Sequence, residues 1–302
     1  MKKRALVTGA TGFVGSRLVF KLLLEGYDVD VLVRKASNLG ELCPVVEQLT
    51  VHVHDGSTEA MFLLMEKAKP SIVFHVASMA QAEHQAHNLL PLVNSNITIG
   101  TQLVEAMLNS GCNLLVNTGT FWQHYENKDY SPVCLYAATK QAFEAILQYY
   151  VEAKSLKVIT LKLFDNYGPK DPRPKLLQLL RNTAKSQEPL AMSHGEQLID
   201  LVYIDDVINA YVLAAERLLS RQVREHEVYA VSSGKPIKVK ELVELFEKIT
   251  STKLPIQWGA RPYKNREVFE PWNSGQLLPG WVCQTSLLQG IESTVFREKR
   301  RL

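Results

Sequence analysis

Short apolar segments alternate with longer amphipathic segments through the first half of the chain, and this alternation limits the folds open to it. The short segments are "RALVTG", "DVDVLVR", "LTVHVHDG", "SIVFHVAS", "NLLVNTGT" and "KVITLKLF". Several are apolar on both faces, as expected for parallel strands that helices cover on each side. The pattern predicts an α/β fold built on a doubly wound parallel sheet.

The alternation of strand-like and helical segments is interrupted after residue 165. The segment "YGPKDPRPK" is rich in proline and lysine and predicts a loop over the strand ends. Two later strand-like segments, "QLIDLVYI" and "HEVYAVSS", flank a helix. We predict a Rossmann-type main domain of residues 1–165, joined by about 196–233, and a smaller C-terminal substrate-binding lobe of residues 166–195 and 234–302.

Composition argues against several classes of partner. The chain has 302 residues, with 34 Lys and Arg against 31 Asp and Glu. The excess positive charge lies mainly in "MKKR" and "REKRR", which are expected to be solvated termini rather than a nucleic-acid-binding arm. No apolar run approaches the roughly 18 residues of a membrane span, and the first strand begins too early to leave room for a signal peptide. We therefore expect a cytoplasmic protein that binds neither nucleic acid nor membranes.

Metal chemistry finds little support in the sequence. The four cysteines are isolated from one another and lack metal-ligand spacing, which predicts reduced thiols. His52 and His54 lie on the same side of one predicted strand without a third converging ligand, so packed or edge histidines are expected. We predict no metal site.

The segment "TGATGFVG" contains the most informative local motif. It places Gly9, Gly12 and Gly15 directly after the first strand and at the start of a helix. Glycine there allows a tight turn, close approach of a pyrophosphate to bare backbone, and close contact between helix and strand. Unpaired N–H groups at a helix N-terminus also attract phosphate. The motif predicts a dinucleotide-binding turn.

The end of the second strand favours NADPH over NADH. The segment "VRKASN" lacks an acidic residue to accept a hydrogen bond from an adenosine ribose hydroxyl, and Arg34 and Lys35 stand there instead. An arginine at this point can pair with a 2′-phosphate, although a solvated basic loop is the alternative. Asp55, after the third strand, is placed to bond an adenine amino group, although an aspartate in a turn needs no such role.

Two tyrosine–lysine pairs share one predicted helix. Tyr136 and Lys140 lie four residues apart at its head, and Tyr150 and Lys154 repeat the spacing near its far end. The spacing places both side chains of a pair on one helical face, one turn apart. Because the helix dipole favours a phenolate near the N-terminus and disfavours one near the C-terminus, position separates the two pairs. We interpret the first pair as catalytic and the second as a surface pair.

An ordered set of motifs resembles the extended short-chain dehydrogenase/reductases that act on nucleotide sugars. The set comprises the glycine turn, "FHVAS", "NSNITIGTQLVEA", the strand-five threonine, the Tyr136 pair, "LFDNYGPKD", "VYIDDV" and the late "GW", and it covers nearly the whole chain. Within that family, "NTGTFWQHYE" is most similar to the CDP-4-dehydro-6-deoxyhexose 4-reductases, the abequose and paratose synthases. In "VYIDDV", Asp205 or Asp206 is expected to cap the helix that follows.

The resemblance implies an active triad of a threonine, Tyr136 and Lys140. Thr118 is the favoured threonine and Thr120 the alternative, because the register of the loop is open by two residues. The threonine would bind the C4 oxygen of the sugar. The Lys140 ammonium would draw the phenol pKa of Tyr136 from near 10 toward the working range.

The resemblance also implies contacts outside the triad. The residues expected to bind the cofactor, besides Tyr136 and Lys140, are Gly9, Thr11, Gly12, Phe13, Val14, Gly15, Arg34, Lys35, Asp55, Gly56, Val76, Ala77, Ser78 and Asn96. The residues expected to bind substrate are Thr118, Gly119, Thr120, Asn166, Arg261 and Arg266. The arginines suit a diphosphate because a guanidinium pairs with phosphate through two parallel bonds. A further family arginine is missing here, since Ile199 stands in its place.

Several reactions are compatible with this set. The resemblance implies NADPH-dependent reduction of the C4 ketone of a nucleotide-linked 4-keto-6-deoxy sugar, with a CDP-sugar favoured, as in lipopolysaccharide biosynthesis. A 4-epimerase that keeps NAD bound is the alternative. A 4,6-dehydratase needs an acid–base pair just after the strand-five threonine, and Gly119 and Thr120 stand there instead, which argues against dehydration.

Two further expectations concern proteins of this fold more broadly. Dinucleotide-binding regulators without turnover are a remote alternative, and such proteins commonly lack the Tyr/Lys pair. Related enzymes often form dimers through a four-helix contact, so a homodimer that uses the Tyr136 helix is expected.

Overall fold

Strands and helices alternate along the chain in the computed structural model, which describes residues 3–296. The strands are β1 (Arg4–Thr8), β2 (Asp28–Arg34), β3 (Leu49–His54), β4 (Ile72–His75), β5 (Leu114–Thr120), β6 (Lys157–Leu163), β7 (Asp165–Tyr167), β8 (Leu190–Met192), β9 (Leu198–Ile199), β10 (Leu201–Tyr203), β11 (His226–Val231), β12 (Ile237–Lys238) and β13 (Ile256–Trp258). The α-helices are α1 (Phe13–Leu24), α2 (Thr58–Ala68), α3 (Leu89–Val93), α4 (Ile99–Asn109), α5 (Leu135–Lys154), α6 (Leu176–Ser186), α7 (Ile204–Leu219), α8 (Val239–Thr250) and α9 (Leu287–Phe296).

The main sheet has seven parallel strands in the order β3, β2, β1, β4, β5, β6, β11. From β1 the chain adds β2 and β3 on one side of the sheet, and β4, β5 and β6 on the other. A crevice therefore opens between β1 and β4 at the carboxyl ends of the strands. The predicted Rossmann-type, doubly wound sheet is confirmed, and the segment "HEVYAVSS" supplies its seventh strand.

Helices cover both faces of this sheet, and each face has its own core. On one face α1 and α7 pack together, and Leu18 and Ala210 are fully buried there. On the other face α2, α4 and α5 pack together around residues such as Leu103 and Leu147. Burial on both faces explains why the central strands are apolar throughout rather than alternating.

Helix α5 carries the predicted catalytic pair and begins where the sequence predicts. Its buried positions include Tyr136, Lys140, Phe143, Glu144 and Leu147, which recur at intervals of three or four residues. This spacing lines one helical face. The side chains of Tyr136, Lys140 and Glu144 therefore point inward from the same helix.

The segment "QLIDLVYI" forms two short strands rather than the single predicted one. Strand β9 pairs with β12, whereas β10 pairs with β7, and a third small sheet joins β8 to β13. The break falls at Asp200, whose carboxylate accepts hydrogen bonds from Ser232 Oγ and from the N–H groups of Ser233 and Gly234. The boundary between main domain and lobe stays a prediction.

Asp206 anchors the C-terminal segment instead of capping α7. The cap position belongs to Tyr203, so the expected cap by either aspartate is corrected. The buried Asp206 carboxylate accepts hydrogen bonds from the N–H groups of Gln284 and Thr285 at 3.2 and 2.9 Å. The Trp281 indole N–H donates to the Asp206 carbonyl at 2.9 Å. The chain that precedes α9 is therefore tied to α7.

Two properties of the described chain bear on the excluded classes. Within residues 3–296, no helix combines the length and the apolar character that crossing a membrane requires. On β3, His52 Nε2 lies 2.6 Å from Asp30 Oδ1, and His54 Nε2 lies 3.0 Å from the Ser57 carbonyl oxygen. Both histidines thus have protein partners.

Candidate active site

The glycine turn between β1 and α1 makes two close backbone approaches. Gly9 has φ of +69°, and a Cβ there would lie 2.6 Å from the Ala77 nitrogen after β4. A Cβ on Gly15 would lie 2.1 Å from the Gly9 carbonyl oxygen. Gly12 is exposed, and an added Cβ would meet the Gly9 carbonyl oxygen at 3.3 Å. Packing therefore requires two of the glycines, and the third leaves bare backbone where an anion can approach the helix N-terminus.

Thr8 links the glycine turn to the end of β4. Its hydroxyl oxygen accepts a hydrogen bond from the Ala77 N–H at 3.1 Å and lies 2.9 Å from His75 Nδ1. Burial of His75, with a smaller contribution from the Lys140 charge, lowers the His75 pKa to about 3. The segment after β4 is thus fixed against the turn through a neutral histidine.

Arg34 and Lys35 are exposed at the carboxyl end of β2, next to β1. The Arg34 N–H donates to Ser37 Oγ at 3.0 Å, which holds the turn after the strand. Asp55 is engaged in its own turn, since its Oδ1 accepts hydrogen bonds from the Ser57 N–H and hydroxyl, both at 2.8 Å. The Ser57 N–H lowers the pKa of the Asp55 carboxyl. The Asp55 carboxylate is thus engaged within its own turn, and the predicted contact with adenine would compete with these hydrogen bonds.

Tyr136 lies buried in the first turn of α5. Burial raises the pKa of its phenol to about 12, whereas side-chain hydrogen bonding to Ser78 and Thr120 and the charge of Arg173 act to lower it. Trp122 packs edge-on against the phenol ring, with the centroids 6.3 Å apart. The phenol therefore keeps its proton at neutral pH.

The hydroxyl beside Tyr136 is that of Thr120, the alternative threonine of the predicted triad, and the choice between Thr118 and Thr120 stays a prediction. The Thr118 hydroxyl is buried in the sheet, where it donates to the His75 carbonyl at 2.8 Å and lies 2.6 Å from the Tyr211 hydroxyl. Both threonines project to the same face of β5 because they are two residues apart. Their depth along the strand separates them, and Thr120 ends the strand.

Lys140 lies one turn after Tyr136 and is 1% exposed. Its ammonium has no hydrogen-bond partner among the described residues. Burial lowers the Lys140 pKa to about 8, and Glu144 acts in the opposite direction. The groups that act to lower the Tyr136 pKa are Ser78, Thr120 and Arg173 rather than the expected Lys140, and burial outweighs them.

The Lys140 ammonium and the bare backbone at Gly12 fit a dinucleotide. A buried ammonium with unused donors suits the ribose hydroxyls of such a cofactor, because buried polar groups are normally hydrogen-bonded. The bare backbone at Gly12 suits its pyrophosphate.

Asn96 uses its whole side-chain amide inside the protein. Its Oδ1 accepts hydrogen bonds from Ser78 Oγ at 3.2 Å and from the Met79 N–H at 2.8 Å. Its Nδ2 donates to the Met79 carbonyl and to Thr139 Oγ1. Asn96 therefore braces the Ser78 segment against α5, and its predicted direct contact with the cofactor stays a prediction.

Gly119 faces away from Thr120, into a set of buried polar side chains that the sequence did not single out. A Cβ there would lie 2.9 Å from Glu144 Oε1 and 3.1 Å from Gln123 Oε1. Gly119 therefore makes room for these groups, and its predicted substrate contact stays a prediction. We call the set Gln123, His124, Glu144 and Lys162 the polar cluster. One available signal was the T-x-x-Q pattern of Thr120 and Gln123, which forms a capping box.

Arg173, in the proline-rich loop, is a further site residue that sequence reasoning missed. Its guanidinium lies 4.6 Å from the centroid of the Phe13 ring, at the start of α1. It donates to Asn166 Oδ1 and to the Asp171 carboxylate, each at 2.7 Å. Asn166 thus orients an arginine beside the glycine turn, and the predicted position of this loop over the strand ends was the available signal.

The two arginines predicted to bind a diphosphate have different surroundings. Arg266 is half-buried, donates to Ser131 Oγ at 2.6 Å and lies 4.2 Å over the Tyr125 ring. Arg261 is exposed, and its N–H donates to the Met192 carbonyl at 3.1 Å. Arg266 therefore contacts the loop that leads into α5, whereas Arg261 lies beside the β8–β13 pair.

Tyr150 is buried, so its predicted place in a surface pair is wrong. Burial and a hydrogen bond to Glu105 of α4 raise the Tyr150 pKa to about 12. Lys154 is exposed at the end of α5. Tyr150 therefore packs one helix against another, far along α5 from Tyr136.

Comparison with known proteins identifies a family for the chain. Residues 5–231 match the NAD dependent epimerase/dehydratase family. The chain belongs to this family. Membership makes it an NAD(P)-dependent enzyme and confirms the resemblance seen in the sequence. The matched range includes the glycine turn, Thr120, Tyr136 and Lys140.

Individual family members resemble the chain over nearly their whole length. CDP-abequose synthase of Salmonella muenchen is 26% identical over 298 residues, which cover 97% of each chain. UDP-glucuronate 4-epimerase of Thermodesulfobacterium geofontis is 26% identical over 98% of this chain and 96% of its own. The crystal structure of Thermotoga maritima UDP-glucose 4-epimerase with UDP-glucose covers 98% of this chain and 99% of its own, with a TM-score of 0.85 and 24% identity. That structure supports the fold alone.

Proposed function

We propose that this protein reduces the C4 ketone of a nucleotide-linked 4-keto-6-deoxy sugar, with NADPH as reductant and a CDP-sugar as the favoured substrate. The observation that carries the proposal is the end of β2, where Arg34 and Lys35 are exposed and no carboxylate follows to bind a ribose 2′-hydroxyl. An arginine there suits the 2′-phosphate of NADPH, which a reductase consumes and replaces, whereas a 4-epimerase keeps NAD bound. Tyr136 is protonated because burial raises its pKa, and it is placed to give the ketone oxygen a proton.

The chain's own groups have separate roles in this reaction. The Thr120 hydroxyl, next to the phenol, orients the ketone oxygen, and the Tyr136 hydroxyl gives it a proton as negative charge develops there. The buried Lys140 ammonium would donate to ribose hydroxyls, and the backbone at Gly12 would hold the pyrophosphate. The bound dinucleotide supplies the hydride.

The residues after Thr120 do not support dehydration. With Thr120 as the site threonine, the next two positions are Phe121 and Trp122, in place of an acid–base pair. Phe121 is buried and stacks on Phe164, with the ring centroids 4.5 Å apart. Neither aromatic side chain can transfer a proton to or from carbon, so the site is suited to hydride chemistry without elimination.

Thr120→Val should lower the rate of ketone reduction about 100-fold, because it removes the hydroxyl beside Tyr136 with little change in volume. Thr118→Val is the matched control, since the same substitution two residues earlier removes a hydroxyl engaged with His75 and Tyr211. It should lower the melting temperature and cost much less activity. Steady-state NADPH oxidation and thermal unfolding measure both effects. A greater loss of rate in Thr118→Val would restore Thr118 as the site hydroxyl.

NADPH is the favoured reductant because Arg34 and Lys35 are exposed at the end of β2, where the chain offers no carboxylate. Arg34→Ala should lower the ratio of kcat/KM for NADPH to that for NADH about tenfold, because a guanidinium–phosphate pair is lost. The NADH value itself should hardly change. Lys67→Ala, on α2, controls for the general loss of a positive charge. An unchanged ratio in Arg34→Ala contradicts the proposed preference.

The preference for CDP rests on the similarity to CDP-abequose synthase along 97% of both chains. Arg266 and Arg261 are candidates to bind the diphosphate of the substrate. The direct experiment incubates the purified protein with 4-keto-6-deoxy sugars on CDP, dTDP, GDP and UDP, and follows the oxidation of NADPH and NADH. We expect the fastest oxidation of NADPH with the CDP-sugar. No oxidation of either cofactor, with NAD found bound to the purified protein, overturns the reductase.

A 4-epimerase is the second candidate. The similarity to UDP-glucuronate 4-epimerase, at 26% identity over 98% of this chain, favours it. An epimerase first oxidises the C4 alcohol and then returns the hydride to the sugar, so its substrate is a 4-hydroxy nucleotide sugar and it consumes no NADPH. Incubation with UDP-glucuronate or UDP-glucose without added reductant, followed by chromatographic separation of the 4-epimers, tests this reaction.

A homodimer through α4 and α5 is part of the proposal. Tyr149 on α5 is 58% exposed, although it lies beside the α4–α5 contact made by Tyr150. Tyrosine is among the residues enriched at protein interfaces. Light scattering of the purified protein and of Tyr149→Lys tests this part.

A further inference from the structure

The polar cluster lies directly behind the Thr120 end of β5. Gln123 Oε1 accepts a hydrogen bond from the Thr120 N–H at 3.0 Å, and Gln123 Nε2 donates to Glu144 Oε1 at 2.9 Å. Glu144 Oε2 lies 3.5 Å from Lys162 Nζ, which lies 2.6 Å from His124 Nε2. Each of these four side chains is less than 10% exposed. A continuous chain of buried contacts therefore runs from the backbone of the site threonine to a carboxylate on α5.

Glu144 also lies one turn after Lys140 on the same helix. It therefore lies near two buried ammonium groups, Lys140 on α5 and Lys162 on β6. Burial raises the Glu144 pKa, and the charges of Lys162 and Lys140 act to lower it. The other titratable groups around these charges are neutral at pH 7, because burial lowers the pKa of the nearby imidazoles and raises that of the phenol. They are His75 on β4, His124 after β5, His226 on β11 and Tyr136 on α5. Glu144 is thus the carboxylate that acts on Lys140.

This arrangement has a physical consequence for the two sides of the site. A buried ammonium tends to lose its proton unless an opposite charge lies nearby. Glu144 opposes that tendency at Lys140, as its effect on the Lys140 pKa shows. Without the acceptor on Gln123, the Thr120 N–H would be left unpaired, and the end of β5 that carries the Thr120 side chain would be free to move. One carboxylate therefore influences both the hydroxyl side and the lysine side.

We propose that Glu144 is a positioning residue for the reaction: through Gln123 it fixes Thr120, and through its charge it keeps Lys140 protonated. This inference rests on the roles proposed above for Thr120, Tyr136 and Lys140. Glu144 touches neither substrate nor cofactor in this scheme, and it acts through the two residues that do.

Glu144→Gln separates charge from shape, because glutamine keeps the length and an acceptor oxygen. Lys140 acts when protonated, so activity is present below its pKa and is lost as the pH rises through it. Removal of the Glu144 charge should lower the Lys140 pKa from its value of about 8 by about one unit or more, and the basic limb of kcat/KM should move down by the same amount. At pH 8 a shift of one unit lowers the protonated fraction of Lys140 from about one half to about one tenth, so kcat/KM falls about fivefold. Glu152→Gln, exposed on the same helix, is the matched control and should leave the limb in place.

A second readout is independent of any sugar substrate. In protein labelled with [ε-¹³C]lysine, the Lys140 signal can be assigned by its loss in Lys140→Met and then titrated. We expect a lower titration midpoint in Glu144→Gln than in the wild type and in Glu152→Gln. An unchanged midpoint overturns the inference. If no keto sugar is reduced, the proposed function fails but this titration still decides the role of Glu144.

Gln123→Met tests the other side of the site without a change in charge. It should lower kcat about tenfold, because the Thr120 N–H loses its acceptor, and it should leave the Lys140 titration unmoved. A shift of the titration as large as that in Glu144→Gln overturns the assignment of the effect to the carboxylate. If Glu144→Gln does not fold, Glu144→Gln with Lys162→Met removes both partners of the pair and leaves no unpaired charge between them. The lower midpoint is expected there as well, and an unchanged one is again decisive against the inference.

Discussion

Tyr136→Phe should lower the rate of ketone reduction by about 10²- to 10⁴-fold, the usual loss on removal of a positioned acid. The ring stays in place against Trp122, and the proton that the C4 oxygen needs is gone. NADPH binding should be nearly unchanged, since Lys140 and the glycine turn are untouched. Single-turnover oxidation of NADPH and fluorescence titration of NADPH separate the two quantities.

The chain supplies a matched control for this variant. Tyr150→Phe removes a phenolic hydroxyl from the same helix and the same tyrosine–lysine spacing, but the lost partner is Glu105. We expect a lower melting temperature and a rate within about twofold of the wild type. Retention of near wild-type activity in Tyr136→Phe would falsify the mechanism, whichever sugar is the substrate.

Gly15→Ala should lower the free energy of unfolding by about 3 kcal/mol or more, or prevent folding. An added Cβ would lie 2.1 Å from the Gly9 carbonyl oxygen, 2.7 Å from the Gly9 carbonyl carbon and 3.0 Å from the Ala10 Cα. All three atoms are backbone, so the turn itself would have to shift. Urea denaturation and NADPH titration should both report the damage.

Gly12→Ala provides the contrast within the same turn. The residue is exposed, and its added Cβ would meet the Gly9 carbonyl oxygen at 3.3 Å. Stability should stay within about 0.5 kcal/mol of the wild type, whereas NADPH should bind about tenfold more weakly because a methyl group stands where the pyrophosphate approaches. If Gly12→Ala binds NADPH as tightly as the wild type, the assignment of the turn to the cofactor is contradicted.

The sheet was predictable because its strands are buried on both faces. Strands β1 to β6 are short apolar runs that helical segments or turns separate, and few other folds accommodate that order. The division of "QLIDLVYI" into β9 and β10 was not predictable from its letters. It depends on Asp200, which binds a turn more than thirty residues further along the chain.

The choice between Thr118 and Thr120 shows where periodicity stops being informative. Residues two apart on a strand share a face, so alternation assigns both to the same side. The difference lies in neighbours from β4 and α7, which occupy the Thr118 hydroxyl. The requirement for a glycine at position 119 was equally unpredictable, because the side chains that occupy the space beside it come from elsewhere in the fold.

The polar cluster and Arg173 were missed for a related reason. Glu144 and Lys162 are ordinary charged residues in sequence, and only the packing of α5 against β6 makes them a buried pair. Arg173 lies in a loop with little periodicity, so its contact with Phe13 depends on tertiary structure. By contrast, Tyr136 and Lys140 were predictable, because a fixed helical spacing after a strand-five threonine is local information.

The attachment of Gln284 and Thr285 to Asp206 bears on how the chain is made. Helix α7 lies against the sheet near its middle, yet its buried carboxylate finds its backbone donors about eighty residues later. During synthesis these donors emerge about eighty residues after the carboxylate, which stays hydrated or unpaired until then. This part of the fold is thus expected to form only after Thr285 has been synthesised, and a nascent chain that stalls before Trp281 should remain open to proteases that spare the folded protein.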